Sequence, residues 1–356
     1  LRFSRAGEGR LTGMPALLLL YPSPTLASLV DPVALSLAED SLPPLAELLP
    51  QVEARVQHAL SPLLHGSDES GRVDERWYWV AVAWLDAQHY PGIRPWLQHW
   101  GRSTALDADE NVTAFREHVE QFVAAQANFS ALGLGRPPED LVGLLARLVL
   151  AGPAVCACRS LHRCATALVW DDQALLDAAA TVGAGFRTLF NVPESIATLR
   201  ADDAADRYWL LALEHGLQGN LGALLDEQVH VLVESLGVAD ASPADRIACI
   251  GAELRDSLSV RSSPLTLDEL RPDSQLGRVE PVPFKIRCRF ALRFGDLKDE
   301  KGETRAETVR SAFNSPFRPF VLASTSVGQE GLDFHLWCHA VMHWNLPSNP
   351  VDLEQR

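Results

Sequence analysis

The hydrophobic period of this chain changes once, near Ser262, and that change limits the fold more than any other feature. Between about residues 45 and 260, Leu, Val and Ala recur three and four apart, the spacing of one face of an α-helix. Beyond it, Phe284-Lys-Ile-Arg-Cys-Arg-Phe-Ala-Leu-Arg-Phe294 alternates apolar and basic residues. That is the period of a strand with one basic face.

The upstream series predicts helices over 45–64, over 112–129, and over two parts of 76–100 divided at Pro91-Gly92. Pro138-Glu139-Asp140 opens the next, since proline and acids belong in a first turn. Helical spacing continues over 153–169, 173–189, 207–213 and 221–236. Residues 15–21, Pro-Ala-Leu-Leu-Leu-Leu-Tyr, read as a buried strand closed by a turn at Pro22 and Pro24. After Ser262, Ser-Ser-Pro-Leu-Thr and Arg-Pro-Asp-Ser-Gln-Leu-Gly-Arg read as linkers. Then come the strand over 284–294, a helix over 303–313 and buried strands over 320–324 and 340–344. Strand, helix, strand, strand with short links is an α/β pattern.

The chain has 356 residues, 47% hydrophobic and 22% charged, with a formal net charge of −15. That is a globular composition with material for two domains. Residues 1–284 hold 21 basic against 37 acidic residues, and 285–356 hold ten against nine. An acidic body repels phosphate backbones, so nucleic-acid contact is confined to a local groove. The basic face of Lys285, Arg287, Arg289 and Arg293 either tracks such a backbone or is a solvated edge. Six scattered cysteines are no disulfide framework and point to a reducing, cytoplasmic compartment. The run Ala16–Leu20 is too short to cross a bilayer. Tyr21-Pro22-Ser23-Pro24 after it lacks a small-residue cleavage pattern, so neither a signal peptide nor a membrane partner is expected.

Val321 to His335 carries the chemistry. An apolar strand runs into Thr-Ser-Val-Gly-x-x-Gly-x-Asp, which sets hydroxyls, bare backbone amides and a carboxylate at a strand end. Ligands of α/β sheets bind at such ends. Gly328 and Gly331 admit a phosphate or sugar close to the backbone, Asp333 can accept from a ribose hydroxyl, and Thr325 and Ser326 can donate to a phosphate. Further on stands Asp352-Leu353-Glu354-Gln355-Arg356.

These two strings, in this order, resemble motif V and the opening of motif VI of superfamily 2, Swi2/Snf2-like helicases and translocases. The resemblance covers roughly residues 285–356. Arg305 to Phe313 is similar to the family's helix before motif V, and His343-Trp-Asn-Leu-Pro-Ser-Asn-Pro350 to the loop leading into Gln-Arg. The resemblance implies an α/β, RecA-like C-terminal helicase lobe preceded by a large, mostly α-helical region. It divides the chain into residues 1–44 (tail of a first lobe and linker), 45–262 (helical insertion) and 263–356 (partial second lobe). It implies ATP and Mg²⁺, bound mainly by a first lobe elsewhere, with Gly331, Asp333 and Gln355 on the nucleotide side. Arg356, as the start of motif VI, would face the γ-phosphate, where positive charge stabilises phosphoryl transfer. Thr325, Ser326, Arg293 and Arg305 would meet nucleic acid, DNA or RNA. The helical region, as a family-specific insertion, would contact DNA or a protein partner.

The sequence holds no Gly-x-x-x-x-Gly-Lys-Ser/Thr cradle and no Asp-Glu-x-His box. The Gly-Arg-x-x-Arg half of motif VI would follow residue 356, so the sequence reads as a segment of a longer chain, inactive alone. The alternative is a non-catalytic helical scaffold with a degenerate RecA-like lobe that binds a protein partner. Asp226-Glu227-Gln228-Val229-His230 lies in a helical pattern and reads as a surface acid pair. Cys156-x-Cys158-x-x-x-His162-x-Cys164 departs from zinc-knuckle spacing and reads as core packing, so no metal is expected. The tryptophans over 77–100 read as helix core rather than a base-stacking platform, because only Arg94 is interleaved.

Overall fold

The computed structural model describes residues 1–5, 11–38, 43–65, 71–101, 112–128, 132–200, 207–259, 263–273, 278–288, 311–317, 338–340, 342 and 350. The chain divides into two compact units, Leu1–Arg255 and Asp256–Arg356.

Among its described residues the named elements of the first unit are all helices, with isolated bridges joining Arg5 to Leu11 and Val73 to Arg136. Short helices α1 (Met14–Leu20), α2 (Pro24–Leu29) and α3 (Pro32–Ala38) precede the long α4 (Leu45–Leu64). α5 (Trp77–His89) and α6 (Ile93–Trp100) meet at Pro91-Gly92, as the sequence predicts. α7 (Val112–Ala127), α8 (Leu141–Ala151), α9 (Pro153–Arg163) and α10 (Gln173–Asn191) follow. α11 (Pro193–Leu199), α12 (Tyr208–Gln218), α13 (Leu221–Ser235) and α14 (Pro243–Leu258) complete the series.

α9 is the axis of this unit. Every residue from Pro153 to Leu161 is buried, and α1, α2, α8, α10 and α13 pack around it. A helix covered on all sides belongs in the middle of a core. It meets α8 at a 44° bend. Gly152 makes the bend, because a Cβ there would lie 2.6 Å from the Leu148 carbonyl oxygen. The tryptophans are core as well. Trp96 and Trp100 stack at 5.0 Å, Trp100 meets Phe115 edge-on, and Trp77 donates its Nε1–H to the Gly135 carbonyl at 2.7 Å.

Residues 15–21 are not a strand. They form α1 and its C-cap, begun by Pro15 in the first turn and buried on every side. Seven consecutive apolar residues fit a buried helix as well as a buried strand, so periodicity does not decide between them. α9 also stops earlier than its spacing predicts, at Arg163, and a turn occupies 164–172.

The RecA-like α/β lobe is overturned. The described residues are predominantly helical, and the sheet among them is two-stranded and antiparallel, β1 (Ser263–Asp273) with β2 (Arg278–Cys288). Ser263 pairs with Cys288 and Asp273 with Arg278. The period-two segment near 284 is thus satisfied locally, by the stretch read as a linker, and not by a parallel crossover. Pro264, Pro272, Pro281 and Pro283 hide these strands from sequence reasoning. A two-stranded sheet has only edges, where proline is tolerated. Among the expected later elements, residues 311–313 are helical, and 340 and 342 are not in a strand.

Candidate functional site

The most organised polar constellation among the described residues lies along α2. It begins with Asp86, the acid in Trp77-Tyr-Trp-Val-Ala-Val-Ala-Trp-Leu-Asp86. Asp86 is fully buried. Its carboxylate accepts from the Tyr21 hydroxyl at 2.7 Å, the Ser23 hydroxyl at 3.0 Å and the Thr25 backbone N–H at 2.9 Å. Burial raises its pKa, and the surrounding donors work against that rise. The Tyr21 phenol is raised too, by burial first and by the neighbouring Asp86 second. Ser23 faces both ways. It donates to Asp86 and accepts from the Leu26 N–H at 3.2 Å, the N-cap bond of α2.

Arg159, on α9, meets the other end of α2. It is 3% exposed. Its Nε donates to the Ala27 carbonyl at 3.0 Å, and its Nη2 donates to the carbonyls of Leu26 at 3.4 Å and Val149 at 2.8 Å. One turn further along α9, Arg163 pairs with both Asp31 and Asp226, and Ser160 donates to Asp226. Asp31 also accepts from the Val33 and Ala34 amides at the start of α3. Burial pushes the Asp31 carboxyl up, but the Arg163 bond, the Arg163 charge and those amides leave its pKa below the usual value. The Asp226 acid read as a surface pair is therefore half-buried and held by α9, which the linear sequence did not reveal.

Two further anchors complete the picture. His118 on α7 is fully buried. Its Nε2 accepts from the Gly13 N–H at 2.8 Å, while its Nδ1 faces the Ala114 carbonyl at 2.6 Å. That pairing fixes a neutral ring with the proton on Nδ1. Burial lowers its pKa against the opposing Ala114 bond and Glu117 charge. Arg246 on α14 gathers four carbonyls, those of Val238, Cys164, Ala239 and Ala241, at 2.6 to 3.1 Å. It thereby ties the end of α9 to the link between α13 and α14.

The cysteines of α9 are fillers. Cys156 and Cys158 are fully buried, and burial pushes their thiols up to about 11 and about 12. Cys156 donates to the Leu150 carbonyl. His162 is taken up by the Leu168 carbonyl at 3.1 Å and a stack on Trp170 at 3.9 Å. Among the described residues, no group of three or more His, Cys, Asp or Glu is arranged to hold a metal ion.

The residues singled out for nucleotide and nucleic acid, Thr325, Ser326, Gly331, Asp333, Gln355, Arg356, Arg293 and Arg305, all lie outside the described residues. Residues 1–255 contain 18 arginines, no lysine and 32 acids. Many of the arginines are engaged within the unit. Arg5 pairs with Glu117, Arg76 with Asp74 and Arg207 with Glu75. Arg187 lies over the Phe3 ring and Arg200 over the Tyr208 ring. By sequence, residues 1–255 carry 14 more acids than arginines.

Sequence reasoning missed Asp86, Arg159, His118 and Arg246. The signal was there: one charge inside an apolar run such as Val-Ala-Trp-Leu-Asp86 or Ala-Val-Cys-Ala-Cys-Arg159 is costly unless fully bonded. No single helix among the described residues is long and apolar enough to cross a membrane. Comparison with family models, with curated proteins and with solved structures gives no match to this chain.

Proposed function

We propose that this chain is a segment of a cytoplasmic, ATP-dependent nucleic-acid translocase of the superfamily 2 kind, working on DNA. Residues 321–335 act as its motif V, and Gln355 and Arg356 open its motif VI. One observation carries the reading: hydroxyls, two spaced glycines and Asp333 follow an apolar run, with Gln-Arg further on, in the family's order. The proposal rests on that residue order and not on a sheet architecture. In it, Gly331 and Asp333 take the nucleotide ribose, and Thr325 and Ser326 take the strand phosphate. Arg356 neutralises charge that develops on the γ-phosphate, whose Mg²⁺ is held elsewhere. The helical unit contributes no polyanion contact, because its arginines are largely spent internally and its remaining charge is negative.

The test is ATP turnover by the intact gene product with and without single-stranded or duplex DNA. The proposal expects DNA to stimulate turnover and Asp333→Ala to cut kcat/KM by about tenfold or more, the loss of a charged hydrogen bond. DNA-independent turnover, or an Asp333→Ala variant with unchanged kinetics, contradicts it.

The second reading, a non-catalytic helical scaffold for a protein partner, is favoured by one observation. The buried charges of the helical unit, Asp86 and Arg159, bond to backbone and hydroxyls of the unit itself and serve its shape. Nucleotide-independent binding of a partner by a chain that hydrolyses no ATP would favour this reading over the first.

A further inference from the structure

α2 has six residues and is too short to persist by itself in water. Its ends are met by opposite charges from two other helices. At the amino end, Asp86 of α5 takes the Thr25 N–H and the hydroxyl of the N-cap Ser23. At the carbonyl end, Arg159 of α9 takes the Leu26 and Ala27 oxygens. Negative charge at the amino end and positive charge at the carbonyl end both follow the direction of the peptide dipoles. The Leu26 and Ala27 carbonyls converge on Arg159 only while the turn begun at Thr25 is formed, so each grip depends on order that the other maintains. The hold continues into α3, because Asp31 accepts from its first amides and pairs with Arg163, one turn beyond Arg159.

We propose that Asp86 and Arg159 form the two ends of one latch, through which residues 21–38 dock or release as a unit while the rest of the helical unit stays folded. α2 is seated on α5, α8 and α9, with Leu26 and Ala27 each 1% exposed. Release uncovers that apolar seat. Asp86 and Arg159 are positioning residues here. They touch no substrate and set where the α2 backbone lies.

Hydrogen exchange on the full 356-residue chain tests this, using Asp86→Asn, Arg159→Gln and the double variant. Each single change is expected to speed exchange of the α2 amides roughly tenfold or more. The double variant is expected to exchange no faster than the faster single, and the α2 amides are expected to lose more protection than those of α10. Two independent anchors would instead multiply their effects, and that result overturns the latch. It is equally overturned if α10 loses as much protection as α2, or if α2 does not respond. Should Arg159→Gln fail to fold, Arg159→Lys keeps the charge while losing the planar fork, and its cycle with Asp86→Asn reads the same coupling.

Discussion

Arg159 and Arg163 stand one turn apart on α9, and they hold the fold in different ways. Arg159 is enclosed and bonds only to backbone carbonyls, those of Leu26, Ala27 and Val149. The Arg163 side chain is 28% exposed and bonds to two carboxylates, Asp31 and Asp226. Deep in the core the cation is matched by oriented dipoles of the chain. Near the surface it is matched by partly exposed, screened charges. A buried guanidinium without its carbonyls would be a bare charge in a poor solvent, whereas a half-exposed one can turn to water. The same residue type should therefore cost very different amounts to remove at the two positions.

Arg159→Ala is the most damaging change expected. It removes three donor contacts and leaves buried carbonyls unpaired, so chemical denaturation should show a loss of about 3 kcal/mol or more. An effect no larger than that of Arg163→Ala would erase the contrast. Asp86→Ala comes next, at about 2–3 kcal/mol, because the Tyr21 and Ser23 hydroxyls and the Thr25 amide lose their acceptor.

Asp86→Asn sharpens the comparison through pH. The raised folded pKa of Asp86 means that the folded state binds its proton more tightly than the unfolded state. That contribution is present below the unfolded value near ~4 and is lost as pH rises through the folded value. The cost of Asp86→Asn should accordingly shrink as pH rises. His118 has the opposite sign. Its lowered folded pKa gives stability that is present above the unfolded value near ~6.5 and is lost as pH falls toward the folded one. In His118→Gln the dependence of stability on pH over that range should flatten. An unchanged slope would mean that the Gly13 bond does not depend on a neutral ring.

Arg163→Gln should cost only about 1 kcal/mol, and the cost should fall further in high salt, as a part-exposed ion pair requires. The Arg159 effect should not respond to salt. A salt-insensitive Arg163 effect would place its carboxylate partners in a drier setting than their exposure indicates.

These contrasts also mark what the sequence disclosed. α4, α6, α7, α10 and α13 are legible because each leaves one polar face, so a 3.6-residue period survives, whereas α5 is buried on nearly every side and is marked by the Pro91-Gly92 turn that ends it. α1 is illegible because it has no polar face, and β1 because its prolines argue against a strand even though an edge admits them. The polar line along α2 is illegible for another reason. Tyr21 and Asp86 are 65 residues apart in sequence, and Ala27 and Arg159 are 132 apart. No local pattern reports such a pairing. For the proposed nucleotide site the case is reversed. Its whole warrant is local, a run of adjacent residue types, so the proposal rests on the string from Val321 to His335 alone.

The proposed function implies a division of labour, with nucleic acid met by the basic residues after 284 and not by the helical unit. The salt dependence of DNA binding tests it most directly. The expected result is that Arg293→Ala lowers the slope of log affinity against log salt by about one, a lost phosphate contact. Arg94→Ala and Arg116→Ala, both exposed on the helical unit, should leave the slope unchanged. A slope that falls for Arg94 or Arg116 and not for Arg293 would contradict it.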